Sequence, residues 1–160
     1  AAVREARTRH EKVVVFGASM GAISALRYAA GDDSLAGAVS LSAPARWRMP
    51  RSAPALLATW MTRTSLGRRF ADRFLDVTID RQWTNPAPPE QLVGEIRVPL
   101  AVVHGQSDPF IDAGEARRLA DAAVGPTRLE LVPRMGHAFD EKGIGSILRS
   151  VSWTLAVGTA

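Results

Sequence analysis

A chain of 160 residues and 17.2 kDa has room for one domain built around a single core. With 46% hydrophobic and 22% charged residues it is not a disordered chain. The absence of cysteine excludes disulfides, cysteine-ligated zinc, iron–sulfur clusters and thiol nucleophiles. The net charge of +4 is local: Ala45 to Arg81 carries Arg46, Arg48, Arg51, Arg63, Arg68, Arg69, Arg73 and Arg81 against Asp72, Asp76 and Asp80. Such a segment either draws phosphates and acidic surfaces or forms solvated helical faces whose arginine stems lie over apolar neighbours. No nucleic-acid module is recognisable in it, so the solvated face is the expectation and no nucleic-acid partner is implied. No apolar run approaches the roughly 18–20 residues of a membrane span.

Ala1 to Lys12 is charged throughout, unlike the apolar region of a signal peptide, so a cytoplasmic setting is expected. Ala1 to Glu11 reads as the tail of a helix. Val13 to Phe16 is a β-branched run ending at Gly17, the mark of a buried strand. Met20, Ile23, Leu26 and Ala30 follow at helical spacing, stopped by Gly31. Ala36 to Leu41 reads as a second strand. Leu100 to Val103, entered through Pro99 and closed by His104-Gly105, is a third. A helix from Asp112 to Val124 ends at Gly125-Pro126, and Leu129 to Val132 makes a fourth strand. A last helix runs from about Ile144 to Ala156.

Strands alternating with helices predict an α/β fold, a three-layer sandwich around a parallel sheet. Ala45 to Glu95 breaks the rhythm as an insertion in this single domain. Its helical segment, Ala53 to Leu75, places Leu56, Leu57, Trp60, Met61, Leu66, Phe70 and Phe74 on one packed face, before a Pro86-Ala87-Pro88-Pro89 connection. An insertion after a strand's C-terminal end lies where such sheets keep ligand crevices, so it is either a cap or a long helical connection.

Gly17-Ala18-Ser19-Met20-Gly21 fits G-x-S-x-G between a strand and a helix, the setting of a nucleophile elbow. A sharp turn there strains the Ser19 backbone, and side chains at Gly17 and Gly21 are expected to clash with neighbouring chain. The Met20 N–H, with the helix dipole behind it, can face a developing oxyanion. The same pattern also describes a glycine-rich turn that binds phosphate. Serine attacks only when a base takes its proton, so a histidine and an orienting carboxylate are required. Asp108 follows the third strand and His137 the fourth, which brings both to the sheet edge where Ser19 sits. Asp112 is the rival acid, but it suits the N-cap of the next helix, with Glu115 completing a capping box. His104, at a strand end, reads as structural, and His10 lies in the charged opening stretch.

On G-A-S-M-G-A at the elbow, V-V-H-G-Q-S-D-P-F-I at the acid and P-R-M-G-H at the histidine, the chain resembles the α/β-hydrolase superfamily from Val13 to about Val157. It is similar to actinobacterial serine esterases and lipases. The resemblance implies Ser19 as nucleophile, Asp108 as acid, His137 as base, one oxyanion N–H from Met20, and neither metal nor organic cofactor. The family's sheet normally has eight strands and only the last four are visible. The strand beside the nucleophile strand and the loop giving the second oxyanion N–H are not among them. The chain therefore reads as the C-terminal portion of a longer hydrolase.

The leading expectation is a serine hydrolase cleaving a carboxylic ester or related small acyl compound. A truncated or non-catalytic hydrolase-like module with an incomplete oxyanion hole is the alternative, and an anion-binding module a third. Trp47, Trp60, Met61, Phe70 and Phe74 either line an acyl pocket or pack together as a satellite core. The apolar edge of Val13 to Phe16 predicts self-association.

Overall fold

The computed structural model describes residues 2–47, 53–80, 87–138 and 140–158. Arg48, Arg51 and Arg81 of the basic segment, and Pro86 of the proline-rich connection, lie outside them. Four strands, β1 (Val14–Ala18), β2 (Gly37–Leu41), β3 (Leu100–Gly105) and β4 (Thr127–Val132), pair in parallel in chain order. The register sets Val15 beside Ala38, Ser40 beside Val102 and Val103 beside Glu130. Helices α1 (Ala2–Arg7), α2 (Met20–Ala30), α3 (Ala53–Arg63), α4 (Ser65–Leu75), α5 (Pro89–Val93), α6 (Ala113–Ala122) and α7 (Ile144–Val157) complete the order.

Every residue of β2 and β3 is buried, because successive side chains serve two cores. Ala38, Leu100 and Val102 meet Ala22, Leu26 and Ala29 of α2, Leu92 and Val93 of α5, and Ala116 and Leu119 of α6. Val39, Leu41, Ala101 and Val103 face the other way, against Ile147, Val151 and Trp153 of α7. The result is a helix–sheet–helix sandwich. Among the described residues β1 pairs only with β2, and its Phe16 is exposed. No helix of the described residues is long and apolar enough to cross a membrane.

Ala1–Arg46 with Ala87–Ala160 form one compact unit, and Trp47–Pro86 form a second. The second is narrower than the insertion expected over 45–95. The turn of α5 belongs to the first unit, where Leu92 and Val93 are core residues. Within the second unit the single helical segment expected from Ala53 to Leu75 is two helices. Thr64 separates them as the N-cap of α4, its Oγ1 accepting the Gly67 N–H at 2.9 Å and donating to the Trp60 carbonyl at 2.9 Å.

The expected packed face is corrected as well, since Leu56, Leu57, Leu66, Phe70 and Phe74 are all exposed. The buried positions of α4 are the small ones, Gly67 and Ala71. Any Cβ at Gly67 would land on the Trp60 carbonyl, so α3 and α4 approach too closely for large side chains between them.

Ser42 leaves β2 with φ 50°, fully buried, and no described residue bonds its hydroxyl. A non-glycine residue held in the left-handed region costs about 1–3 kcal/mol, and a buried unbonded hydroxyl adds to that. Ser42→Gly is expected to raise stability by about 1 kcal/mol. The check is a higher urea midpoint at unchanged slope, and a lower midpoint would count against strain at this position.

Candidate active site

β1 ends at Ala18 and α2 begins at Met20, so Ser19 alone turns the chain. Its φ of 53° and ψ of −122° lie where only glycine is at ease. The Ser19 N–H donates to the Leu41 carbonyl at 2.8 Å, tying the turn to β2. A serine at a helix N-cap ordinarily accepts a first-turn N–H, contributing about 0.5–2 kcal/mol. Ser19 forgoes that bond, and its Oγ lies 2.9 Å from His137 Nε2.

Gly17 is required by close approach. A Cβ there would strike the Gly21 carbonyl and come within 2.6 Å of Ala22 Cα. The matching clash expected at Gly21 is not found: outside its own helix, a Cβ on Gly21 meets none of the described residues within 4 Å, and Gly21 is exposed. Met20 is the first residue of α2, so its N–H has no intrahelical carbonyl to bond.

The acid comes from the loop after β3. Asp108 Oδ1 accepts the N–H groups of Phe110 (2.9 Å) and Ile111 (3.0 Å), while Oδ2 lies 2.7 Å from His137 Nδ1. The Asp108 carboxylate is fully buried and the His137 ring is 22% exposed. The order Ser19 Oγ, His137 Nε2, His137 Nδ1, Asp108 Oδ2 is one continuous hydrogen-bonded line. Phe110 meets the His137 ring edge-on, centroids 5.3 Å apart.

Main-chain bonds stitch the acid and histidine loops together. Gln106 N–H donates to Val132 and Ser107 N–H to Met135, at 3.0 and 2.9 Å. Gly105 permits the approach, since a Cβ there would fall on the Gly136 and Met135 carbonyls.

Asp112 caps α6, its Oδ1 accepting the Gly114 N–H at 2.7 Å. Glu115 does not show the reciprocal half of a capping box. Its Oε2 accepts the Ala45 and Arg46 N–H groups at 3.1 and 3.3 Å, where the chain beyond β2 would otherwise bury unbonded donors.

Sequence reasoning missed Asp140. Its Oδ2 accepts the Gly136 N–H at 2.8 Å, its Oδ1 accepts the Lys142 N–H at 3.0 Å, and its own N–H donates to the His137 carbonyl at 3.3 Å. His137 thus sits inside a loop closed by Asp140. The only available signal was an acidic residue a few positions past Gly136-His137, which is weak.

The Gly136 N–H, then that of Lys142, holds the Asp140 carboxyl below its ordinary value. A group depressed on folding contributes stability above its unfolded pKa of about 3.9 and loses it as pH falls through the lower folded value. In acid titrations the stability advantage of the unsubstituted chain over Asp140→Asn is therefore expected to be full near neutrality and to shrink below about pH 4. A constant difference down to the acid limit would refute this.

Trp60, Phe70 and Phe74 form a row of rings within the second unit, with centroids 5.8 and 4.9 Å apart, and the Arg73 guanidinium lies 5.7 Å from the Phe74 centroid. Trp47 and Met61 are half-buried in that unit. Ser19, Asp108 and His137 all belong to the first unit.

The model of the alpha/beta hydrolase family matches residues 1–142. No curated protein matches the sequence. Among solved structures, the esterase domain of a Rhodothermus marinus protein superposes with a TM-score of 0.61 at 18% identity, covering 99% of this chain and 64% of that one. A monoacylglycerol lipase from Paleococcus ferrophilus superposes at 0.62 with 16% identity, covering 97% of this chain and 72% of that one. At these identities the likeness is one of fold. The chain spans less than two thirds of the Rhodothermus marinus domain.

Proposed function

Because the chain belongs to the alpha/beta hydrolase family, we propose that it is a serine hydrolase cleaving a carboxylic ester or related acyl compound through an acyl-enzyme on Ser19. The observation that carries this reading is the line of 2.9 and 2.7 Å contacts from Ser19 Oγ through His137 to Asp108.

Ser19 Oγ attacks the acyl carbonyl while His137 Nε2 takes its proton. Asp108 Oδ2 accepts from His137 Nδ1–H, which keeps Nε2 free as the base and stabilises the imidazolium that forms. The Met20 N–H faces the tetrahedral oxyanion, with the dipole of α2 behind it. Collapse of that intermediate breaks the bond to the leaving alcohol, which receives the proton from His137. Water then attacks the acyl-serine with His137 again as base, and as the acyl–Oγ bond breaks His137 returns the proton to Ser19 Oγ and the acid product leaves. One preorganised oxyanion donor is worth about 10²- to 10³-fold in turnover.

A fluorophosphonate tests the reading directly. Folded protein is expected to gain one phosphonyl group on Ser19, found by mass spectrometry, and Ser19→Ala to gain none. Folded protein that stays unlabelled would overturn the reading.

Trp47, Trp60, Met61, Phe70 and Phe74 are the proposed acyl contacts on their chemistry, as apolar pocket walls. Trp60→Ala is then expected to shift the preferred acyl length among p-nitrophenyl esters. A loss of folded protein at unchanged preference would assign the rings to packing alone.

A further inference from the structure

His104, in β3, is fully buried and has no part in the reaction written above. Its Nε2 lies 2.9 Å from the Ile111 carbonyl oxygen and 3.5 Å from Asp108 Oδ2, while none of the described residues bonds Nδ1. A carbonyl oxygen can only accept, so the ring hydrogen is on Nε2. A second hydrogen on Nδ1 would find no acceptor among the described residues, in a buried site. The Nε2–H therefore donates to Ile111 and presents the positive end of its dipole to Asp108.

The Ile111 residue is gripped on both sides: its N–H donates to Asp108 Oδ1 at 3.0 Å, and its carbonyl accepts from His104. Phe110 N–H holds the same Oδ1 at 2.9 Å. Oδ1 is thus fixed by the turn itself, whereas Oδ2 carries the 2.7 Å contact to His137. The described side chain that faces Oδ2 from inside β3 is His104.

We infer that His104 is a positioning residue: by anchoring the Ile111 carbonyl and fronting Asp108 Oδ2, it fixes the rotation of the carboxylate and through it the orientation of the His137 ring. Its effect on reactivity rests on the acyl-transfer reading, but the effect on the His137–Asp108 contact does not.

Three substitutions separate the donor from the packing. In His104→Gln the amide nitrogen stands as many bonds from the backbone as Nε2. In His104→Asn it stands where Nδ1 does, and His104→Leu fills the space with no donor. Each variant is compared while circular dichroism shows it folded. The first readout is the downfield proton resonance of His137 Nδ1–H against Asp108, which needs no substrate. The second is the rate of fluorophosphonate labelling at Ser19.

His104→Leu and His104→Asn are expected to broaden or lose the resonance and to slow labelling by on the order of 10²-fold, the usual cost of a misplaced reacting group, at unchanged apparent affinity for the reagent. His104→Gln is expected to restore both to within a few fold. A folded His104→Leu with the original resonance and rate would overturn the inference, as would a His104→Gln that falls as far as Leu. Failure of all three to fold would make His104 a packing residue and overturn it too. Should the unsubstituted protein resist labelling, the hydrolase reading fails while the resonance still reports what His104 does.

Discussion

Ser19→Ala, His137→Ala and the double variant are expected to share one residual ester turnover, on the order of 10⁴- to 10⁶-fold below the unsubstituted chain. Ser19 Oγ is a weak nucleophile alone, and His137 Nε2 lies 2.9 Å from it as the base in the proposed mechanism. Removing His137 leaves Ser19 without its base, and removing Ser19 leaves His137 with no hydroxyl to deprotonate, so the two losses do not multiply. Under the proposed mechanism, what survives comes from the Met20 N–H and from substrate binding, which both single variants keep. Asp108→Asn should fall by about 10⁴-fold, because an amide in place of Oδ2 can donate to His137 Nδ1 and force the wrong tautomer. Initial rates with a p-nitrophenyl ester at equal folded concentration provide the check. A double variant far below both single ones would mean that the two side chains act independently, and the proposed mechanism would fail.

Gly17→Ala and Gly21→Ala should behave as opposites although both belong to one G-x-S-x-G motif. At Gly17 the new methyl meets backbone, the Gly21 carbonyl and Ala22 Cα at 2.6 Å, and neither can rotate away. Overpacking of this kind costs about 1–3 kcal/mol. Relief would have to come from β1 or from the first turn of α2, which displaces Ser19. A displacement of about 1 Å lowers turnover on the order of 10²-fold. At Gly21 the methyl enters open space on a helix, where alanine is favoured over glycine by about 1 kcal/mol. Gly21→Ala is therefore expected to raise the urea midpoint slightly, and Gly17→Ala to lower it clearly. A Gly21→Ala variant as damaged as Gly17→Ala would show that contacts beyond the described residues press on that face.

What the sequence made legible follows from how local each cause is. The runs at Ala36 and Leu100 announce strands because a strand buried on both faces needs apolar residues without interruption, whereas those at Val13 and Leu129 form strands that are only partly buried. Ser19, Asp108 and His137 could be singled out because each sits just past a strand end. The break at Thr64 was hidden by apolar spacing that runs on in helical register from Trp60 to Phe70, while a single threonine cap stops the first helix. Glu115 looked like half of a capping box because it lies three residues after Asp112. Its true partners, the Ala45 and Arg46 N–H groups, are tertiary neighbours that no local pattern announces. Asp140 escaped for the same reason, since its bonds depend on how the loop around His137 closes.

The hydrogen bond between Ser19 and His137 spans 118 residues, and that between Asp108 and His137 spans 29. No short stretch of chain holds any two of the three groups. Each is delivered by a strand that must first pair in parallel after a helical crossover, and the entropy of closing those loops is spent before the site gains any contact. Reactivity is therefore a property of the finished sheet. After dilution from urea, labelling of Ser19 by a fluorophosphonate should return with the slowest refolding phase, behind the helical signal in the far ultraviolet. Ser19 then works as a clock for the last strand pairing, and any substitution that slows the seating of β3 against β4 should delay the return of reactivity by the same factor.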